Sequence, residues 1–308
     1  MKDYEVLKTQ LDNDFNRIIN DNETDETLKE MFHYVLDGGK RLRPILFYCI
    51  LNSSNIDNSY KNYISEYALC LELLHTMSLI LDDLPCMDND NQRRGKDSFH
   101  IKYGEKQALI FSSYIFYFCL RILKKYIFLQ KSKEEFQLFR KLSKTLYENL
   151  GMLGACGGQF LDLCPIIPNI NKKEFIDTYS TKEGMQELLN LKTTTIFKLG
   201  FIFGFYLGNF DLDINKINTM AYNFGLAFQI YDDFDDLNQD TIRKSEGYFT
   251  PNYVLSYGKN DAFYVFNKSI NEFKHDFDKC FNENKIINDI IYKLRNKVTN
   301  NYNNLNNN

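Results

Sequence analysis

Apolar residues recur along this chain at three- and four-residue steps and almost nowhere at every second position. Leu7, Leu11, Phe15 and Ile18 follow that spacing, and so do Phe32, Val35 and Leu36 after the polar stretch at 20–25. Side chains so spaced share one helix face, which predicts amphipathic helices. Apolar-rich segments at 62–84, 105–129, 134–163, 173–189, 192–208, 215–237 and 261–296 continue the pattern, and no alternating strand series interrupts it. Two of them, ALIFSSYIFYFCLRIL and TTTIFKLGFIFGFYLG, are apolar nearly all round, as central helices covered by neighbours or by a second subunit would be. With five prolines and 15 glycines in 308 residues, few breakers stand in the way of long helices. The expected fold is all-α, a single domain over 1–298. The Asn-rich tail at 299–308 is low-complexity and polar, and it is expected to be disordered.

Composition narrows the function. Apolar residues at 44% supply a core, and charged residues at 25% are ordinary for a soluble protein. A net charge of -4 and a pI near 5.7 argue against a nucleic-acid partner, which selects for clustered Lys and Arg. Seven cysteines form no CxxC pair and no zinc ladder, and they read as reduced core residues. The N-terminus lacks an apolar leader core and no run of about twenty apolar residues occurs. The expectation is a cytoplasmic protein without a transmembrane segment, or an organelle-lumen protein where a leader has been removed.

The sharpest chemical features are two acidic clusters at the ends of apolar runs: Asp82-Asp83-Leu-Pro-Cys-Met-Asp88 and Asp232-Asp233-Phe-Asp235-Asp236. In the second, Gln229, Asp232, Asp233 and Asp236 fall at i, i+3, i+4 and i+7 and share a helix face, while Asp235 points elsewhere. Carboxylates at that density are costly unless cations neutralise them, and their oxygens are the ligands magnesium prefers. Magnesium takes few protein carboxylates and completes its shell with water and phosphate, so two clusters predict a metal-clamped diphosphate. One cluster alone would read as a solvated helix end. An EF-hand at Asp88 is excluded, because Arg93 stands where Gly is needed and Phe99 where Glu is needed.

Basic groups accompany the acids. In GGKRLRP a glycine pair can end a helix and leave Lys40 and Arg43 on a turn held by Pro44. Arg93 and Arg94 follow the first cluster, and Lys192 with Thr193 opens a buried helix, where a lysine has no structural reason to sit unless it is paired. A basic turn alone is more often solvated surface. His75 stands seven residues before Asp82 on the same face, equally a hydrogen-bonded core residue or a diphosphate contact.

With those residues in place, the chain resembles the trans-isoprenyl diphosphate synthases, nearest in motif to short-chain geranylgeranyl and farnesyl diphosphate synthases. The motifs run in order through most of the chain: GGKRLRP, LELLHTMSLILDDLPCMDNDNQRRG, GGQFLDL, LKTTT and GLAFQIYDDFDD. The resemblance implies long helices around a central cavity, a homodimer, and aspartate clusters on facing walls. It implies that Asp82, Asp83 and Asp88 hold two magnesium ions on an allylic diphosphate and that Asp232, Asp233 and Asp236 hold a third, with manganese as an expected substitute. It assigns Arg93, Lys192 and, in the loop after Asp236, Lys244 to diphosphate binding, and Lys40, Arg43, His75 and Arg94 to isopentenyl diphosphate. Thr193, Gln159 and Gln229 would line the reaction centre. The implied reaction joins isopentenyl diphosphate to C5 to C15 allylic diphosphates, with Asp82, Asp83, Lys192, Thr193, Gln229 and Asp232 as its catalytic set. Met77 and Ser78, five and four residues before Asp82, would set chain length. The Met-Ser pair and the Pro85-Cys86 insertion look like C20 enzymes, so geranylgeranyl diphosphate is the expected product, ahead of farnesyl or longer polyprenyl diphosphates.

Two departures stand out. Ser112-Ser113 occupies the place of a usual Gly-Asp pair, and the lysine-containing loop after Asp236 is shortened. They keep open a weakly active or non-catalytic subunit that pairs with an active synthase. A terpene cyclase of the same fold would lack the GGKRLRP site for a second diphosphate.

Overall fold

The computed structural model describes residues 2–54, 61–128, 132–163, 177–179, 181–245 and 251–307. The chain is all-α. Its helices are α1 Lys2–Asn22, α2 Glu26–Leu36, α3 Leu42–Leu51, α4 Lys61–Asp82, α5 Phe99–Tyr103, α6 Glu105–Phe128, α7 Lys133–Leu150, α8 Ala155–Leu163 and α9 Lys182–Leu189. A π-helical turn, Asn190–Thr194, leads into α10 Thr195–Leu207, followed by α11 Ile214–Asp235, α12 Leu237–Ser245, α13 Tyr253–Phe281 and α14 Lys285–Asn307. The β-structure among the described residues is one hairpin, Gln92–Arg93 paired antiparallel with Lys96–Asp97.

Two expected helices divide. The segment 134–163 breaks between α7 and α8, where the amide of Gly154 donates to Gly151 O at 2.9 Å. The segment 261–296 breaks at Asn282, whose φ of 65° ends α13. Residues 173–176 of another predicted helix lie outside the described residues.

Contacts divide the chain into two compact units: Met1–Lys141 with Tyr206–Gly208, and Leu142–Phe205 with Asn209–Asn308. Each has its own aromatic core. In the first, α4 packs on α6, and Phe32 contacts Phe118 and Phe111 with ring centroids 4.6 and 5.0 Å apart. In the second, α11 packs on α13 through Phe224 and Phe273, whose centroids are 5.0 Å apart, and Phe197 joins Phe224 at 5.2 Å. Such offset and edge contacts add to the area these rings bury.

Within α4, Tyr63–Asp82 is long and apolar enough to cross a membrane by length and composition, contrary to the expectation that no such run occurs. Its apolar window is 72% buried inside the fold, as the core helix of a helical protein reads. Cys49, Cys70 and Cys119 are buried as expected, whereas Cys86 and Cys156 are exposed. Cys164 lies outside the described residues.

The Asn-rich end is ordered as helix, not disordered: α14 continues to Asn307. Two tyrosine contacts and a lysine hold it. The Tyr302 ring stacks on Phe263 at 4.3 Å, its hydroxyl donates to Asn260 Oδ1 at 2.9 Å, and Lys259 Nζ donates to Leu305 O at 2.5 Å. Composition undervalues this tail because the few side chains that dock it are scattered among asparagines.

Candidate active site

The first unit carries the first aspartate cluster at the C-terminal end of α4. Past Asp82 the chain folds back, so that the Asp88 amide donates to Asp82 O at 2.9 Å and the Asn89 amide to Leu84 O at 3.1 Å. Asp82 and Asp88 therefore lie close along the backbone. Asp82 is half-buried and Asp88 exposed, so both carboxylates reach solvent.

Asp83 differs from both. It is buried at 2% exposure, and its Oδ1 accepts from Arg93 Nε at 2.9 Å and from Arg93 Nη2. Burial pushes its carboxyl above the usual range, against the pull of Arg93. Arg93 in turn loses to burial, but Asp83 and Asp90 outweigh that loss and hold its pKa above the ordinary value. Asp83 thus anchors a guanidinium. The helix period places it about 100° from Asp82, which is enough to turn it inward.

Arg93 and Arg94 reach their places through the hairpin. Arg94 at φ 57° and Gly95 at φ 78° form its two-residue turn, the geometry that matches strand twist. A left-handed arginine is strained, and its guanidinium compensates by capping α2, with Nη1 donating to Val35 O at 3.0 Å. Burial lowers the Arg94 pKa.

Arg43, which the sequence places on a turn, lies instead inside the first turn of α3 and is buried, because Arg41, at φ 54°, takes the turn position. Arg41 is held by Asp12 Oδ1 at 2.7 Å and Glu72 Oε1 at 3.1 Å. Lys40 is exposed, and its carbonyl accepts from the Tyr4 hydroxyl at 2.5 Å. His75 is surrounded by positive charge: burial first, then Arg43, Arg94 and Arg93, drive its pKa well below 6.5. Four predicted residues, Arg43, His75, Arg93 and Arg94, thereby converge on one cationic group with a neutral imidazole.

Met77 and Ser78 are both half-buried, and the Ser78 hydroxyl donates to His75 O at 2.8 Å. By helical period Ser78 lies on the side of α4 away from Thr76, Ile80 and Asp83, which line a cleft of about 340 Å³, open solvent included, and Met77 lies between the two sides. On α6, Ser112 is buried with its hydroxyl on Ala108 O at 2.8 Å, and Ser113 is exposed. Both hydroxyls are turned back onto their own helix.

The second unit centres on the π turn. The Thr195 amide donates to Asn190 O, five residues back, and the Thr195 hydroxyl satisfies Leu191 O at 2.7 Å. Such turns carry one extra residue and often mark functional positions. The turn also accepts a close neighbour: a Cβ on Gly158 of α8 would stand 2.4 Å from the Lys192 amide nitrogen, so only glycine fits. Lys192 Nζ donates to Asp162 Oδ2 at 2.5 Å. Sequence reasoning misses Asp162, although it stands three residues after Gln159 on the same face of α8. Gln159 itself is half-buried there.

From Thr193 a polar chain runs into the second cluster. The Thr193 hydroxyl bonds Gln229 Oε1 at 2.5 Å, Gln229 Nε2 donates to Asp233 Oδ1 at 2.8 Å, and the Tyr253 amide donates to Asp233 Oδ2 at 2.7 Å. Asp233, expected as a metal ligand, therefore has both oxygens engaged within the protein. Burial is the main reason its pKa is pushed up to about 7. Asp232 is half-buried, Asp236 is exposed at the end of α11, and the Asp236 amide donates to Asp232 O at 2.9 Å. Asp235 points away and takes Lys297 Nζ at 2.5 Å. Lys244 is exposed in the last turn of α12.

Asp82 and Asp88 in the first unit, and Asp232 and Asp236 in the second, are carboxylates of the hard oxygen type that magnesium selects. Among the described residues no three metal-binding side chains gather closely enough to hold an ion unaided. A pair of carboxylates fits an ion that takes one or two of them and completes its shell with phosphate and water.

A polyprenyl synthetase family model matches residues 25–248. A trans-prenyltransferase of African swine fever virus is 29% identical over 309 aligned residues, covering 97% of this chain and 84% of the relative. A farnesyl diphosphate synthase of Buchnera aphidicola is 33% identical, covering 70% of this chain and 72% of its own. The crystal structure of a Helicobacter pylori geranyltransferase complexed with magnesium and isoprenyl diphosphate superimposes with a TM-score of 0.69 at 25% identity, covering 95% and 97% of the two chains.

Proposed function

Because the chain belongs to the polyprenyl synthetase family, we propose that it is a magnesium-dependent trans-prenyltransferase that condenses isopentenyl diphosphate with allylic diphosphates, with geranylgeranyl diphosphate as its main product. The observation that carries this reading is the bond sequence Thr193–Gln229–Asp233. It ties the LKTTT motif to the second aspartate cluster within the second unit, as a shared reaction centre requires.

In this reading Asp82 and Asp88 hold magnesium in the first unit and Asp232 and Asp236 hold it in the second, while Asp83 and Asp233 position Arg93 and Gln229. Bound magnesium would supply charge neutralisation to a departing diphosphate. Arg93 and Lys192 bind the allylic diphosphate and favour cleavage of its C–O bond by stabilising negative charge on the leaving oxygen. Arg43, His75, Arg94 and Lys40 hold isopentenyl diphosphate with its double bond toward the allylic carbocation. The new C–C bond forms from that double bond, and the adjacent proton leaves to the released diphosphate. Thr193 and Gln229 offer oxygen dipoles to the developing positive charge, and Gln159 lines the same region. Lys244 reaches the diphosphate from α12.

Helicobacter geranyltransferase binds magnesium and an isoprenyl diphosphate, which supports the cofactor and substrate class. The C20 product rests on Met77 and Ser78, a flexible and a small side chain that leave the tail room to grow. A homodimer is part of the proposal, and the exposed Leu109, Ile110 and Tyr117 of α6 support it. The test is product analysis after incubation with magnesium, isopentenyl diphosphate and each of the C5, C10 and C15 allylic diphosphates. A C20 product dependent on magnesium is expected; absence of any prenyl product would overturn the reading.

A further inference from the structure

Asn252 stands outside every motif above, yet it is among the most buried polar residues, at 1% exposure. Its Oδ1 accepts from the Leu255 amide at 3.0 Å and caps the N-terminus of α13. Its Nδ2 donates to Asp233 O at 2.9 Å, a carbonyl of the last turn of α11, where helical partners run out. The same nitrogen donates to Asp240 Oδ2 on α12 at 2.8 Å. One amide thus caps two helices of opposite polarity and ties a third.

Residue chemistry explains the choice. A helix N-cap needs only an acceptor, which Ser, Thr or Asp would supply equally. Only an amide adds the two donors that α11 and α12 use. Those bonds matter because α12 buries none of its residues, so packing does not fix it. The tie falls one turn beyond Asp236, whose carbonyl accepts from the Asp240 amide at 2.9 Å. The neighbouring Tyr253 amide secures Asp233 Oδ2 from the same strand of chain.

We propose that Asn252 is a positioning residue for the second aspartate cluster: its amide sets α12 against the end of α11 and thereby fixes Asp232 and Asp236 for a magnesium-bound diphosphate. The inference rests on the prenyltransferase reading. Groups one step removed from metal ligands, when lost, weaken metal affinity by roughly 10–100-fold.

Asn252→Thr separates the roles, since threonine keeps the α13 cap and loses both amide donors, leaving one hydroxyl hydrogen on a shorter side chain. Two measurements are made on the full-length protein: kinetics with both substrates, and calorimetry of magnesium with an unreactive allylic thiolodiphosphate. The expected result is a rise of about tenfold in half-saturating magnesium and a matching loss of analogue affinity, with the isopentenyl diphosphate KM unchanged. Asp240→Ala, on the more exposed side of the same bond, should give the same split should Asn252→Thr not fold. Asp240→Asn should restore the parent values because its amide oxygen accepts the same bond. Parent-like magnesium and analogue affinity in both disruptive variants, or equal changes in both substrate KM values, overturns the role of Asn252. A parent that forms no prenyl product overturns the functional reading, and the calorimetric comparison still decides the positioning claim. Absence of magnesium-dependent analogue binding to the parent overturns both.

Discussion

Lys192 Nζ donates to Asp162 Oδ2 at 2.5 Å, while Asp162 Oδ1 is buried without a hydrogen-bond partner. The pair accounts for a lysine at the mouth of a helix as apolar as α10. It also makes the carboxylate dependent on the lysine. Lys192→Ala should cost ~1–3 kcal/mol of stability, the penalty for a buried acceptor left unsatisfied. Lys192→Ala with Asp162→Ala should recover most of that stability in urea melts and none of the activity. A double variant as unstable as Lys192→Ala alone would show that the pair is not coupled.

Asp82 and Asp83 are adjacent in sequence and should respond differently. Asp82→Ala is expected to lower turnover by roughly 10²–10³-fold, the range seen when transition-state charge loses a fixed partner, with an unchanged melting temperature. Asp83→Ala removes the buried partner of Arg93. It should destabilise by less than the ~3–5 kcal/mol of a broken buried pair, because Arg93 is partly exposed and keeps Asp90. Circular dichroism melts beside single-turnover rates separate the two effects.

His75 gives the chain an acid sensitivity whose sign is fixed. Its folded pKa lies well below the ordinary 6.5, so below pH 6.5 the unfolded state binds the proton that the folded state refuses. Stability contributed by this group is therefore complete above pH 6.5 and falls as the pH drops from there toward the folded pKa. The loss approaches about 1.4 kcal/mol per pH unit. His75→Gln should be less sensitive than the parent in denaturant titrations between pH 7 and 5. Identical slopes would place the imidazole in ordinary solvent.

Met77→Tyr should shift the product from C20 toward C15, because a ring on that face of α4 fills the path of the growing tail. Chromatography of the dephosphorylated products measures the shift. A parent that stops at C15, or an unchanged distribution in the variant, would remove Met77 from chain-length control.

Much of this is legible in the sequence. Apolar spacing yields the helices, and the i, i+3, i+7 pattern yields the shared face of Gln229, Asp232 and Asp236. Burial is less legible. Asp83 and Asp233 carry the same side chain as their neighbours, and only the packing of α4 and α11 reveals that they face inward toward Arg93 and Gln229. Arg41 and Arg43 likewise cannot be told apart by charge, since the left-handed turn at Arg41 decides which of them enters α3. Asp162 and Asn252 are invisible for a different reason: their partners are 30 and 12 to 19 residues away in the chain, beyond any local pattern.

The π turn at Asn190–Thr194 bears on how the site could have arisen. A π turn is a regular helix into which one residue has been inserted, at some cost in backbone hydrogen bonding. Removing a single residue there would close the ladder and rotate α10 relative to α9 by about 100°. The shortened chain would swing the buried Phe197 and Phe201 of α10 off Phe224, and Thr193 would no longer meet Gln229. The meeting of Thr193 with Gln229 therefore hangs on a single residue of chain length.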